Sequence, residues 1–115
     1  MPRDNAYILD MLRTVRRLAG AANETDWERF RADWKVQSAM LHQLCILGEA
    51  VKRLSAPFRA AHGEIPWKQI AGMRDYLIHR YDDINLEEVW RTLTQDIPAL
   101  LSFLERVAPD EDSRR

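Results

Sequence analysis

Arg74, His79 and Tyr81 stand within eight residues at the spacing Arg-x4-His-x-Tyr, in the run Arg74-Asp75-Tyr76-Leu77-Ile78-His79-Arg80-Tyr81. A guanidinium binds phosphate, an imidazole moves a proton near neutral pH, and a phenol offers a hydroxyl open to modification. On a continuous helix Tyr81 lies seven residues from Arg74 and returns almost to its face, whereas His79 lies five on, about 140° around. His79 joins the others if the helix ends near Arg80, if Arg74 reaches round, or if a second protomer supplies the neighbour. Each side chain also has a plainer role. Arg74 can be half of an ion pair, with Glu49 as its partner; His79 suits a helix C-terminus; Tyr81 can simply edge the core.

Arg74 poses the sharpest question. Trp67, Ile70, Leu77, Ile78 and Tyr81 recur around it every three or four residues, so a charge stands in the middle of an apolar stripe. A buried, unpaired guanidinium is costly, and Arg74 must therefore meet a carboxylate, a crevice or a bound anion. Asp82-Asp83 reads as a solvated turn rather than a metal site, because a divalent oxygen site needs further ligands. Three His and one Cys, none at ligand spacing, argue against structural zinc, and no metal or cofactor is expected.

The elements that position these groups read as helices. Ile8, Met11, Leu12, Val15, Leu18 and Ala19 recur at helical spacing from Asp4 to Gly20, whose missing Cβ suits a stop. Thr25-Asp26-Trp27-Glu28 has the form of a capping box and predicts a long helix running to Gly48 and on to Leu54. Phe30, Trp34, Leu41, Leu44 and Val51 form one stripe on it and Val36, Met40 and Leu47 another, so neighbours are needed on two sides. Gly48 would let one of them approach closely. Pro57 interrupts the pattern, Phe58 to Ala61 forms a short turn, and Pro66 suits the first position of the helix that carries Arg74. Asn85, with Glu88 three residues on, caps a last helix that Pro98 should bend or break. The four Trp read as core, His42 and Cys45 as packing residues, and Lys52-Arg53 and Arg16-Arg17 as solvated surface. With no alternating strand pattern, the fold class is all-α, an antiparallel bundle of four to five helices over residues 1–108, with a polar, flexible tail at 109–115.

At 115 residues the chain holds one domain with a real core. Its net charge of −1 excludes attraction of a polyanion by the whole surface, so a nucleic-acid partner would need a local basic cleft. The same charge, with no clear recognition helix, disfavours a DNA-binding repressor. Cys45 alone makes no intrachain disulfide, and the sequence shows neither an apolar signal core nor a span of about 20 apolar residues. A cytoplasmic, membrane-free protein is expected. A non-catalytic helical adaptor, holding a dimer or binding a nucleotide for a partner nucleotidyltransferase, is the reading that competes with catalysis.

The run Ile46-Leu47-Gly48-Glu49-Ala50-Val51-Lys52-Arg53-Leu54-Ser55, then Ile65-Pro66-Trp67, then Gly72-Met73-Arg74 through His79-Arg80-Tyr81, with Val89-Trp90 trailing, resembles the HepT-like toxins of the HEPN superfamily. The likeness spans most of the chain. It implies a metal-independent endoribonuclease, the toxin of a type VII-like toxin–antitoxin pair. Such an enzyme acts as a homodimer on RNA and is neutralised by an MntA-like minimal nucleotidyltransferase antitoxin. It also implies that Arg74 and His79 carry cleavage and that Tyr81 accepts AMP, with Asp75 and Glu49 in supporting places. The residue types agree. Attack by a 2′-OH needs a base, an acid and a cation for the phosphorane charge. One His79 per chain is one short, and a two-fold interface joining two Arg74–His79 pairs would complete the set. AMP on Tyr81 at the rim would put bulk and negative charge where phosphate must enter.

Overall fold

The computed structural model describes residues 2–109, so the predicted tail beyond Pro109 lies outside the described residues. Its helices are α1 (Pro2–Asn23), α2 (Trp27–Ala32), α3 (Trp34–Arg53), α4 (Ala56–Ala61), α5 (Trp67–His79), α6 (Leu86–Arg91) and α7 (Ile97–Val107), with a π-helical turn at Thr92–Asp96. There is no strand among the described residues. α3 lies in the centre, flanked by α1 and α5, and α7 covers the other side of α1. Asp4 at the start of α1 bonds Ser55 just past the end of α3, and along α7 Leu9 and Leu12 lie by Ala108 while Ala19 and Ala22 lie by Pro98 and Leu101, so α1 runs antiparallel to both. α5 and α7 meet through the rings of Trp67 and Phe103, 5.7 Å apart. None of the described helices is long and apolar enough to cross a membrane.

Three element boundaries differ from the sequence expectation, each for a local reason. α1 continues through Gly20 to Asn23, since nothing there requires a positive φ and the helix simply absorbs the glycine. The expected long helix is two helices. Asp33 leaves the helical region and its Oδ1 accepts from the amides of Lys35 and Val36, so this carboxylate starts α3 afresh, while Asp26, not Thr25, caps α2. The break also changes phase. Phe30 stays fully buried beside Trp90, whereas Trp34 is 68% exposed rather than core, and His42 faces solvent rather than packing.

Pro98 does not break the last helix. A proline removes one N–H and crowds the carbonyl four residues back, and here the chain widens into the π turn just before it. Thr94 Oγ1 donates to the Trp90 carbonyl at 2.8 Å and Thr92 Oγ1 to that of Glu88 at 3.1 Å, so hydroxyls serve carbonyls along the distorted stretch. Asn85 caps α6 as expected, its Oδ1 accepting from the Glu87 and Glu88 amides.

The core runs through Leu12, Val15, Phe30, Leu44, Leu47, Val51, Leu77, Leu93, Ile97, Leu100 and Leu104. Asp4 is buried among it, with Oδ1 accepting from Ser55 N at 2.9 Å and Oδ2 from Ser55 Oγ at 2.8 Å. Burial pushes its carboxyl up, but the Ser55 bonds outweigh this and hold it below its usual value. A depressed folded pKa contributes stability above the unfolded carboxylate range and loses it as pH falls through the folded value. Asp4→Ala, which strands the Ser55 amide, is expected to cost about 1–3 kcal/mol at pH 7. In urea unfolding series the gap between the two proteins should shrink as pH drops below about 4; a gap that widens in acid would contradict this account.

Candidate active site

α5 presents one buried edge to α3 through Trp67, Ile70 and Leu77, and Trp67 is fixed further by its indole N–H, which donates to the His62 carbonyl at 2.9 Å. Pro66 serves as the N-cap rather than as the expected first helical residue, which is Trp67. The contact with α3 is tightest at Gly48. A Cβ there would fall on the Arg74 Cβ, far inside contact distance, and 3.3 Å from the Ile70 carbonyl oxygen. Only hydrogen at Gly48 lets the Arg74 stem lie flat on α3.

Arg74 is half-buried and resolves the conflict on its apolar stripe with two carboxylates. Nε meets Glu49 Oε2 at 3.3 Å and Nη1 meets Asp75 Oδ1 at 3.0 Å. Glu49, the partner named from sequence, is thus in place. A guanidinium has five N–H donors, and neither on Nη2 makes a hydrogen bond among the described residues. Asp75 also holds Lys52, whose Nζ stands 2.6 Å from the same Oδ1. Hydrogen bonds from Lys52 and then Arg74 hold the Asp75 carboxyl below the usual carboxylate range. Cys45 borders this cluster; burial pushes its thiol up, partly countered by the Arg74 charge, so it acts as a neutral packing group.

His79 is the last residue of α5 and its Nδ1 lies 2.8 Å from the backbone carbonyl of Asp75. A carbonyl can only accept, so Nδ1 carries a proton and Nε2 is the ring nitrogen left outside this bond. Asp75 therefore anchors three groups: Arg74 and Lys52 by its side chain, His79 by its backbone.

Tyr81 lies beyond the Arg80 C-cap, outside the helix and 79% exposed. The periodicity argument that returned it to Arg74's face fails, because the helix has already ended. Its place is set by the loop instead, where Tyr76 Oη accepts from the Asn85 amide at 2.8 Å and the Asp83 amide donates to Arg80 O at 2.9 Å. Ile78, expected on the apolar stripe, is 46% exposed beside the site, and Ile46 on α3 is 42% exposed.

Lys52 is the member that sequence reasoning passed over as solvated surface. Its signal was spacing: it sits four residues after Gly48, on the α3 face that meets α5. Fold and site together define a small all-α protein with a clamped arginine within α5 and an oriented histidine at its end. The ribonuclease HepT-like family model matches residues 11–107, and the chain belongs to that family. It is 36% identical over 101 residues to "Probable ribonuclease HepT" of Thermococcus cleftensis, covering 88% of this chain and 92% of the relative. It is 35% identical over 111 residues to a "Putative RNase" of Caldanaerobacter subterraneus subsp. tengcongensis, covering 96% and 99%. A "Putative RNase" of Methanocaldococcus jannaschii is 32% identical over 112 residues, covering 96% and 93%. No solved structure matches the chain.

Proposed function

We propose that the chain is a metal-independent endoribonuclease, the toxin of a type VII-like toxin–antitoxin pair, acting on RNA as a homodimer. The observation that carries this reading is the double use of Asp75, which orients the His79 ring by its carbonyl and the Arg74 guanidinium by its carboxylate. Both then present unused polar edges, Nε2 and Nη2. Neutral His79 takes the 2′-OH proton through Nε2, and the 2′-oxygen attacks phosphorus. A protonated His79 on the second protomer returns a proton to the departing 5′-oxygen, and Arg74 carries the added phosphorane charge. The products are a 2′,3′-cyclic phosphate and a 5′-hydroxyl. The ribonuclease names of the relatives support the same class.

The competing adaptor reading has its own observation, since Glu49 and Asp75 already satisfy part of Arg74 as a structural ion pair. Labelled RNA incubated with the dimer in EDTA separates the two. Cleavage to cyclic-phosphate ends is expected; RNA left intact at every protein concentration would favour the adaptor.

The exposed Tyr81 supports neutralisation by an MntA-like nucleotidyltransferase, whose ATP would give AMP to the phenol oxygen with pyrophosphate leaving and the phenol proton lost to solvent. Protein co-expressed with such an antitoxin is expected to show AMP-sized additions on the Tyr81 peptide by mass spectrometry. Full neutralisation with Tyr81 unmodified would remove this part of the reading.

A further inference from the structure

Lys52 lies outside the Arg74–His79–Tyr81 motif, on a different helix, yet its Nζ and Arg74 Nη1 converge on a single oxygen, Asp75 Oδ1, at 2.6 and 3.0 Å. Two cations that share one acceptor stand no more than about two hydrogen-bond lengths apart, near enough for one phosphate to bridge them. Each keeps donors in reserve. An ammonium has three N–H and Lys52 commits one to Asp75, while the two Nη2 protons of Arg74 make no hydrogen bond among the described residues. Arg53 Nε lies 3.9 Å from Glu49, and Asp10 lines the same pocket as Glu49 and Arg53.

We infer that Lys52 is a second phosphate-contacting residue, forming with Arg74 a two-cation clamp on the RNA backbone; this rests on the ribonuclease reading. An exposed lysine–aspartate pair contributes little to stability, and Asp75 already has Arg74, so holding the fold together gives Lys52 little to do. Asp75 restrains the long lysine side chain before RNA arrives, which lowers the entropy lost on contact. The Lys52 side chain is 36% exposed, reachable by a ligand without opening the bundle. The clamp grips phosphate and reads no base.

RNA binding measured by fluorescence anisotropy on the uncleaving His79→Ala background tests the clamp, beside steady-state cleavage on the wild-type background. Lys52→Gln is expected to weaken binding about tenfold for every RNA sequence and to lower the log–log salt slope by about 0.7. It should raise KM more than it lowers kcat, and Lys52→Arg should restore the slope. Unaltered affinity and slope in Lys52→Gln would overturn the clamp whatever cleavage does. A wild-type protein that binds RNA through Lys52 but never cuts it would instead overturn the ribonuclease reading and leave the clamp standing. No RNA binding by any variant or the wild type overturns both.

Discussion

His79→Ala is expected to slow RNA cleavage in EDTA by about 10²–10⁴-fold while leaving the melting temperature within a few degrees of wild type. The side chain is exposed and its one hydrogen bond is to a backbone carbonyl, so its removal strands no buried group. Arg74→Ala is expected to cost a comparable factor, for a different reason. Removing the guanidinium leaves Glu49 facing only a distant Arg53 and takes away the cation for the phosphorane charge. Rate against pH separates the roles. With one His79 as base and another as acid, the wild type should give a bell-shaped profile, and His79→Ala should flatten both limbs together. Cleavage that survives both substitutions would sink the site assignment.

Gly48→Ala is expected to cost about 1–3 kcal/mol by overpacking, despite a gain of about 1 kcal/mol in helix propensity. The new methyl would collide with the Arg74 Cβ, which belongs to the root of the side chain and moves only with the α5 backbone. α5 must therefore shift away from α3, taking Arg74 from Glu49, and cleavage should fall in step. Gly72 supplies the contrast. It lies in α5 with nothing within 4 Å of a Cβ placed there, so Gly72→Ala should stabilise by about 0.4–1 kcal/mol. Urea midpoints that move in the same direction for both variants would refute the packing argument at Gly48.

The helices were legible where periodicity and caps agreed. Asn85 and the apolar spacing of the last helix marked its start, and Trp67, Ile70 and Leu77 marked the buried edge of α5. The α2–α3 break was not, because its cause is a single side chain: Asp33 turns back on two amides, and a continuous apolar pattern gives no warning of that choice. Ile78 fits the apolar stripe of α5 but is exposed, as is Ile46 on α3. Of the site, Arg74's need for a partner, and Glu49 as that partner, followed from a charge on an apolar stripe. The Asp75 hub did not. It depends on a backbone carbonyl and on a lysine 23 residues away, neither of which the Arg-x4-His-x-Tyr spacing encodes. Tyr81 was misplaced on a helical wheel because the helix stops two residues before it.

The bond from His79 to the Asp75 carbonyl lies in the last turn of α5, and helix ends open and close while the rest of a domain stays intact. Arg74, pressed on Gly48 and held by two carboxylates, does not share that fraying. At any instant, then, some molecules are native by every global measure and still lack an aimed imidazole. The folded molecules and those whose His79 ring is held to the Asp75 carbonyl are separate populations, and the second is the smaller.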